Sequence, residues 1–185
     1  MKRLVVGVSG ASGAPVAVEL LRQLKAMPQV ETHLICSRWG YATLEQEAGV
    51  SRDDLRTLAH QIYGEEERGA APASGSFQTM GMVVVPCSMK TLAGIVTGYS
   101  DSLLLRAADV TLKERRPLVL VPRECPLSTL HLRNLCTAGE LGATIVPPVP
   151  AWYRHPKTIA DVDRQIAQRI LSVLGLAQVP EWEGL

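Results

Sequence analysis

Five short apolar runs punctuate the chain, at residues 4–8, 33–36, 82–85, 118–121 and 143–146. Each is nearly continuous in its apolarity rather than alternating, which is the pattern of a strand covered on both faces. Between and after them the apolar residues recur at helical spacing, over residues 13–26, 38–48, 88–96, 102–114, 127–138 and 158–174. Strand and helix therefore alternate, and the alternation predicts an α/β fold: a three-layer, doubly wound parallel sheet of the Rossmann or flavodoxin-like kind. Residues 63–79, with EEERGAAPASGSFQT, have no period and many small side chains, so they read as a long loop, either a lid or a loose excursion. With no internal repeat and no linker, residues 1–185 are expected to form one domain, with a tail over residues 176–185 that contains Trp182.

Composition narrows the function. An apolar share of 46%, a charged share of 20%, 15 Gly and 12 Pro exclude a disordered polyelectrolyte and a collagen-like repeat. Nineteen Lys plus Arg against 18 Asp plus Glu leave a formal charge of +1, so no global field draws in nucleic acid or an anionic membrane. An anion site has to be local. Cys36, Cys87, Cys125 and Cys136 form no CxxC pair and no HExxH helix accompanies them, so no metal site is expected. The opening MKRLVV resembles a signal segment until Gly7, Ser9 and Gly10 break it, and no apolar run long enough to span a bilayer follows. The expected location is the cytoplasm, without a membrane partner. His33, His60, His131 and His155 make no triad or ligand spacing, and there is no GxSxG elbow.

In an open doubly wound sheet, ligands bind beyond the carboxyl ends of the strands. After the first strand comes GVSGASGA, where Gly10, Ala11 and Ser12 lead into a helix whose first N–H groups suit an anion. Without a ligand the same residues make a tight strand-to-helix turn. The second strand ends at Cys36 and Ser37, where a dinucleotide fold usually offers a carboxylate to a ribose, so a mononucleotide such as FMN fits better than NAD. Three later strands run into proline and then into polar residues: Ser88, Met89, Lys90 and Thr91; Arg123 and Glu124; and, further on, Trp152 and Tyr153. Each alone reads as loop polarity, but together they line one sheet edge. In SLLLRAADVTLK, Arg106 and Lys113 are seven apart and share a helix face. That helix is read as largely buried, so the two cations need an anionic partner, either a ligand or the nearby Asp109. Arg169, beside Ile166 and Ile170, reads by default as a snorkelling surface residue.

The segments GASGA at 10–14, PCSMKTLAGI at 86–95, RAADVTLKERRPLVLVPRE at 106–124, PLSTLHLRN at 126–134 and the Trp152–Tyr153 region resemble the UbiX-type flavin prenyltransferases, formerly described as aromatic acid decarboxylases. The resemblance runs over residues 4–174, and departs from the family pattern at Ser102, where many relatives have Asn. It implies an enzyme that joins reduced FMN to dimethylallyl phosphate, adds a ring across N5 and C6 of the flavin, and hands the product to a UbiD-type decarboxylase. It implies FMN contacts from Gly10, Ala11, Ser12, Ser37, Ser88, Met89, Lys90, Thr91 and Arg123. It implies that Tyr153, Arg169, Arg106 and Lys113 hold the allylic phosphate. Glu47 and Glu124 then correspond to acidic residues near the reacting groups, with Ser12 and Glu124 in proton movement and Lys113 in catalysis. A preorganised cluster of cations and a phenol can stabilise a departing phosphate without a metal. An apolar wall, from Trp152 or Trp182, shields the allylic fragment from water. The resemblance also implies a homo-oligomer, a dodecamer in many relatives, in which Tyr153 and Arg169 serve a neighbouring chain's flavin.

Other readings stay open on the residues alone. One is an FMN carrier without transferase activity, and another is a direct aromatic acid decarboxylase. A flavin-dependent cysteine decarboxylase is a third, although the PxMNxxMW-like segment of that group is missing.

Overall fold

The computed structural model describes residues 1–177. Six strands form one sheet: β1 (Lys2–Val8), β2 (Val30–Cys36), β3 (Gln61–Gly64), β4 (Gly81–Cys87), β5 (Leu118–Pro122) and β6 (Thr144–Ile145). Their order is β3-β2-β1-β4-β5-β6, and every pairing is parallel. Seven helices cover the two faces: α1 (Ala14–Lys25), α2 (Arg38–Ala48), α3 (Arg52–Leu58), α4 (Met89–Thr97), α5 (Leu103–Lys113), α6 (Thr129–Glu140) and α7 (Ile159–Val173). This is the doubly wound parallel sheet that the alternation predicts.

Both faces of the sheet are dry. Leu4, Val6 and Val8 of β1 pack with Leu20, Leu21 and Leu24 of α1 and with Ile170 and Leu171 of α7 on one side. Val5 and the β4 residues Met82 and Val84 pack with Leu104, Ala107 and Ala108 of α5 on the other. Strands buried on both faces have no polar alternation to display, which is why they stand out as unbroken apolar runs. At the start of the helices, Ser37, Ser88, Ser102 and Thr158 accept from the third or neighbouring backbone N–H and set the entry of α2, α4, α5 and α7.

Residues 63–79 differ from expectation in two ways. They overlap a sixth strand, β3, an edge strand of four residues in which only Tyr63 is buried, so it carries almost no hydrophobic signal. The remainder is stapled rather than loose. The Arg116 guanidinium donates to the carbonyls of Gly75 (2.6 Å) and Phe77 (2.8 Å), and Arg106 Nε donates to that of Ala73 (3.3 Å). Helix α3 is a second addition, held by a capping box between Ser51 and Asp54. Trp182 and the rest of the expected tail beyond residue 177 lie outside the described residues.

Candidate functional site

The chain runs outward from β1 through β2 to β3, then crosses to β4 on the other side of β1, which places the topological switch between β1 and β4. A crevice at that point, beyond the carboxyl ends of the strands, is the expected ligand position. A cavity of about 200 Å³ lies there, lined by Ser9, Gly10, Ser37, Trp39, Glu65, Ser88, Lys90, Thr91, Ser102, Leu104 and Leu105. Five of the predicted residues thus meet in one place: Gly10, Ser37, Ser88, Lys90 and Thr91. Gly10 is required by close approach, because a Cβ there would stand 2.3 Å from the Cβ of Trp39. Ala11 and Ser12 follow in the same β1–α1 loop.

Two further hollows lie past the ends of the later strands. Met89, Arg123 and Glu124 line a cleft of about 270 Å³ with Leu127, Leu135, Pro147, Pro148 and Val149. Tyr153 and Arg169 line a third, of about 400 Å³, with Arg154 and Gln165, and it shares Pro147 and Val149 with the second. Arg169 is exposed, as its apolar neighbours suggest, and it lines the rim of this hollow. Trp152 is 72% exposed and so does not form an apolar wall within one chain.

Arg106 and Lys113 are placed elsewhere. Helix α5 buries Leu103, Leu104, Leu105, Ala107, Ala108, Val110 and Thr111 and turns its other side outward, so the expectation that both cations are buried is corrected. Arg106 pairs with Asp109 at 2.7 Å and Lys113 pairs with Glu114. The start of α5 is at the crevice, through Ser102, and Leu103 N–H donates to the Glu65 carbonyl just past β3. Its end lies by Arg116 and Pro117, where β5 begins. Eleven residues at helical rise separate the two by about 15 Å. Within one chain, Lys113 is therefore at the opposite end of α5 from the crevice.

Glu47 has a definite place. Gly13 enters α1 without a side chain to cap it, and the Glu47 carboxylate on α2 takes over that task, accepting from Gly13 N–H (2.8 Å) and Ala14 N–H (3.0 Å). Burial pushes this carboxyl up, but the hydrogen bonds from Gly13, the Ser12 hydroxyl and Ala14, together with the charge of Arg123, outweigh it and hold the carboxyl below its ordinary value. It thereby fixes the loop bearing Ser12. Glu47→Gln is expected to cost about 1 kcal/mol at neutral pH, as a lost cap. A depressed folded-state value means that the contribution is present above the ordinary value of 4.5 and is lost as pH falls through the folded one. Urea melts of both proteins at pH 7 and pH 3 check this: the gap should close at the lower pH.

The thiols nearest the site are inert. Burial drives the Cys36 thiol far up and that of Cys87 up to about 12. Glu124 accepts from the Cys125 N–H at 3.0 Å. Among the described residues no group of three or more His, Cys, Asp and Glu could hold a metal ion, and no helix is long and apolar enough to cross a membrane.

The residues missed from the sequence are Ser9, Trp39, Glu65, Ser102 and Arg154. Ser102 had a signal, a hydroxyl immediately before an apolar helix. Glu65 had none, because it depends on a strand hidden in what reads as a loop.

A parallel sheet whose β1–β4 crevice gathers glycine, five hydroxyls and a lysine is that of a mononucleotide-binding α/β protein. The Flavoprotein family matches residues 1–170. The flavin prenyltransferase UbiX of Escherichia coli (strain K12) is 49% identical over 189 residues, covering 100% of both chains. Among solved structures, a dodecameric FMN-dependent UbiX-like decarboxylase from Escherichia coli O157:H7 superposes with a TM-score of 0.96 at 51% identity, covering 99% of this chain and 100% of that one. AnUbiX (PadA1), in complex with FMN and dimethylallyl pyrophosphate, superposes with a TM-score of 0.93 at 44% identity, covering 100% and 98%. The chain belongs to the UbiX-type flavin prenyltransferase family of flavoproteins.

Proposed function

We propose that this protein transfers the dimethylallyl group of an allylic phosphate to N5 and C6 of reduced FMN, and that a UbiD-type decarboxylase receives the product. The observation that carries the reading is the set of three hollows past the strand ends: a hydroxyl-lined crevice, and a cleft with Arg123 and Glu124 that shares Pro147 and Val149 with a cavity bearing Tyr153 and Arg169. The AnUbiX complex supports it, since that relative holds FMN and dimethylallyl pyrophosphate.

The residues present fit a flavin mononucleotide. Gly10 leaves the crevice floor without a Cβ, and the Ser37, Ser88 and Thr91 side chains supply polar partners for a polyhydroxy chain and its phosphate. Gly10, Ala11, Ser12, Ser37, Ser88, Met89, Lys90, Thr91 and Arg123 would hold it. The first cavity is smaller than the usual ~300 Å³ lower bound for a ligand pocket, so such a ligand draws on the adjoining cleft as well. When bound, reduced FMN supplies the electron-rich ring atoms that accept the allyl group.

The chain's own residues do the rest. Arg169 and the Tyr153 phenol bind the allylic phosphate and offset the charge that grows on it as its C–O bond breaks, a preorganised electrostatic contribution. Closing the fourth ring is proton-neutral, C6 losing a proton and the allylic double bond gaining one, and Glu124, beside Arg123 in the cleft, would carry that proton, with Ser12 as the relay that Glu47 keeps in position. Lys113 joins this site from another copy of the chain, because its own α5 carries it to the far rim, and Arg106, on the same helix face, accompanies it. The functional unit is therefore a homo-oligomer, in line with the dodecameric relative, and works in the cytoplasm.

The test is to mix the protein anaerobically with reduced FMN and dimethylallyl phosphate and to weigh the extracted flavin. A gain of one C5H8 unit is expected. Unchanged flavin would make the protein a carrier, and carbon dioxide released from a cinnamic-type acid with no partner enzyme would make it a direct decarboxylase.

A further inference from the structure

We propose that the Ser9 hydroxyl is a positioning group that sets the width of the flavin crevice, a role resting on the functional reading above. Ser9 is 2% exposed at the end of β1. Its Oγ donates to the Pro86 carbonyl (2.8 Å) and accepts from the Ser88 N–H (2.8 Å). Both contacts reach across the topological switch, 77 and 79 residues along the chain.

The sheet itself does not make this connection. Ladder pairing of β1 with β4 stops at Gly7 and Val84, and β4 shifts register against β5 between Val84 and Cys87. Within that shift stands Pro86, which has no N–H to give. Beyond Val84, the β1–β4 gap is bridged by the Ser9 N–H, at a long 3.3 Å from the Pro86 carbonyl, and by the Ser9 side chain. The brace leads straight to the ligand-facing residues. Ser88 is the N-cap of α4, and its own hydroxyl donates to Thr91 Oγ1 (3.0 Å) and accepts from the Thr91 N–H (3.2 Å). Gly10 follows Ser9 on the other wall. One buried hydroxyl therefore ties the glycine loop to the start of α4, and its removal strands the Ser88 N–H at the crevice floor and leaves the Pro86 carbonyl with only the long bond from the Ser9 N–H.

Removing the hydroxyl in Ser9→Ala is expected to raise the FMN dissociation constant about tenfold, read by quenching of flavin fluorescence. With FMN saturating, the KM for dimethylallyl phosphate should stay at the wild-type value, since the brace is not in that hollow. Ser9→Thr keeps the hydroxyl and should restore the affinity. Equal FMN affinity in wild type and Ser9→Ala, or no recovery in Ser9→Thr, would overturn the role. Loss of the folded state in both Ser9→Ala and Ser9→Cys, followed by circular dichroism, would overturn it too, by making Ser9 a core residue only. A wild-type protein that bound no FMN would instead sink the functional reading on which the role rests.

Discussion

Lys113→Ala is expected to leave FMN bound and to reduce prenyl transfer by about a hundredfold to a thousandfold, the usual loss for one preorganised electrostatic donor. The two effects separate because Lys113 sits at the end of α5, across the sheet from the crevice of its own chain. Arg169→Ala should lose turnover by a similar factor. If Lys113 serves a different copy from the one that provides Arg169, mixed assemblies must recover activity. Random mixing of the two inactive variants gives about one site in four with both cations intact, and so about a quarter of the wild-type rate. Dissociating, mixing and reassembling the variants, then measuring flavin mass, decides it. No recovery in the mixture would mean that one copy supplies both cations to a site, and a wild-type rate in Lys113→Ala alone would place Lys113 outside the reaction.

The second large effect concerns folding. In Gly40→Ala, the new Cβ would stand 2.5 Å from the Val8 carbonyl oxygen and 3.0 Å from Cys36 Sγ. The carbonyl belongs to the central strand, which has no room to retreat, so α2 has to lift. Overpacking of this kind costs about 3 kcal/mol. For a chain of this size that is a fall of roughly 6–12 °C in Tm. FMN affinity should fall as well, since Ser37 and Trp39 at the start of α2 line the crevice. Gly139→Ala is the matched control: its Cβ meets nothing within 4 Å and it sits inside α6, so it should be neutral or gain about 0.5 kcal/mol. Thermal melts with flavin titrations compare the two, and an unchanged Tm in Gly40→Ala would show that α2 yields without cost.

How far the sequence speaks depends on how each element is buried. β4 and β5 are buried along their whole length, and β1 and β2 over most of theirs, because helices cover both faces, so each is legible from an apolar run within it. β3 is not, because an edge strand with one buried side chain satisfies its backbone through β2 alone. Seryl and glycyl positions after the strands mark the crevice, because a parallel sheet sends all those loops to one rim. The shared face of Arg106 and Lys113 is also readable. Which end of α5 reaches the rim is a tertiary fact, although seven residues of helix already separate two side chains by about 10 Å. The covering of the α1 terminus by Glu47 comes from a different helix, and no spacing within GASGA announces it.

α5 has one more implication in the assembly proposed. Its first turn edges one reaction chamber and its last delivers a lysine to another, so this helix is a strut between two chambers. Inserting a single residue in it would lengthen the strut by about 1.5 Å and swing its far end by about 100°. The helix can therefore change in its outward side chains, but its length is fixed by the spacing of the two chambers.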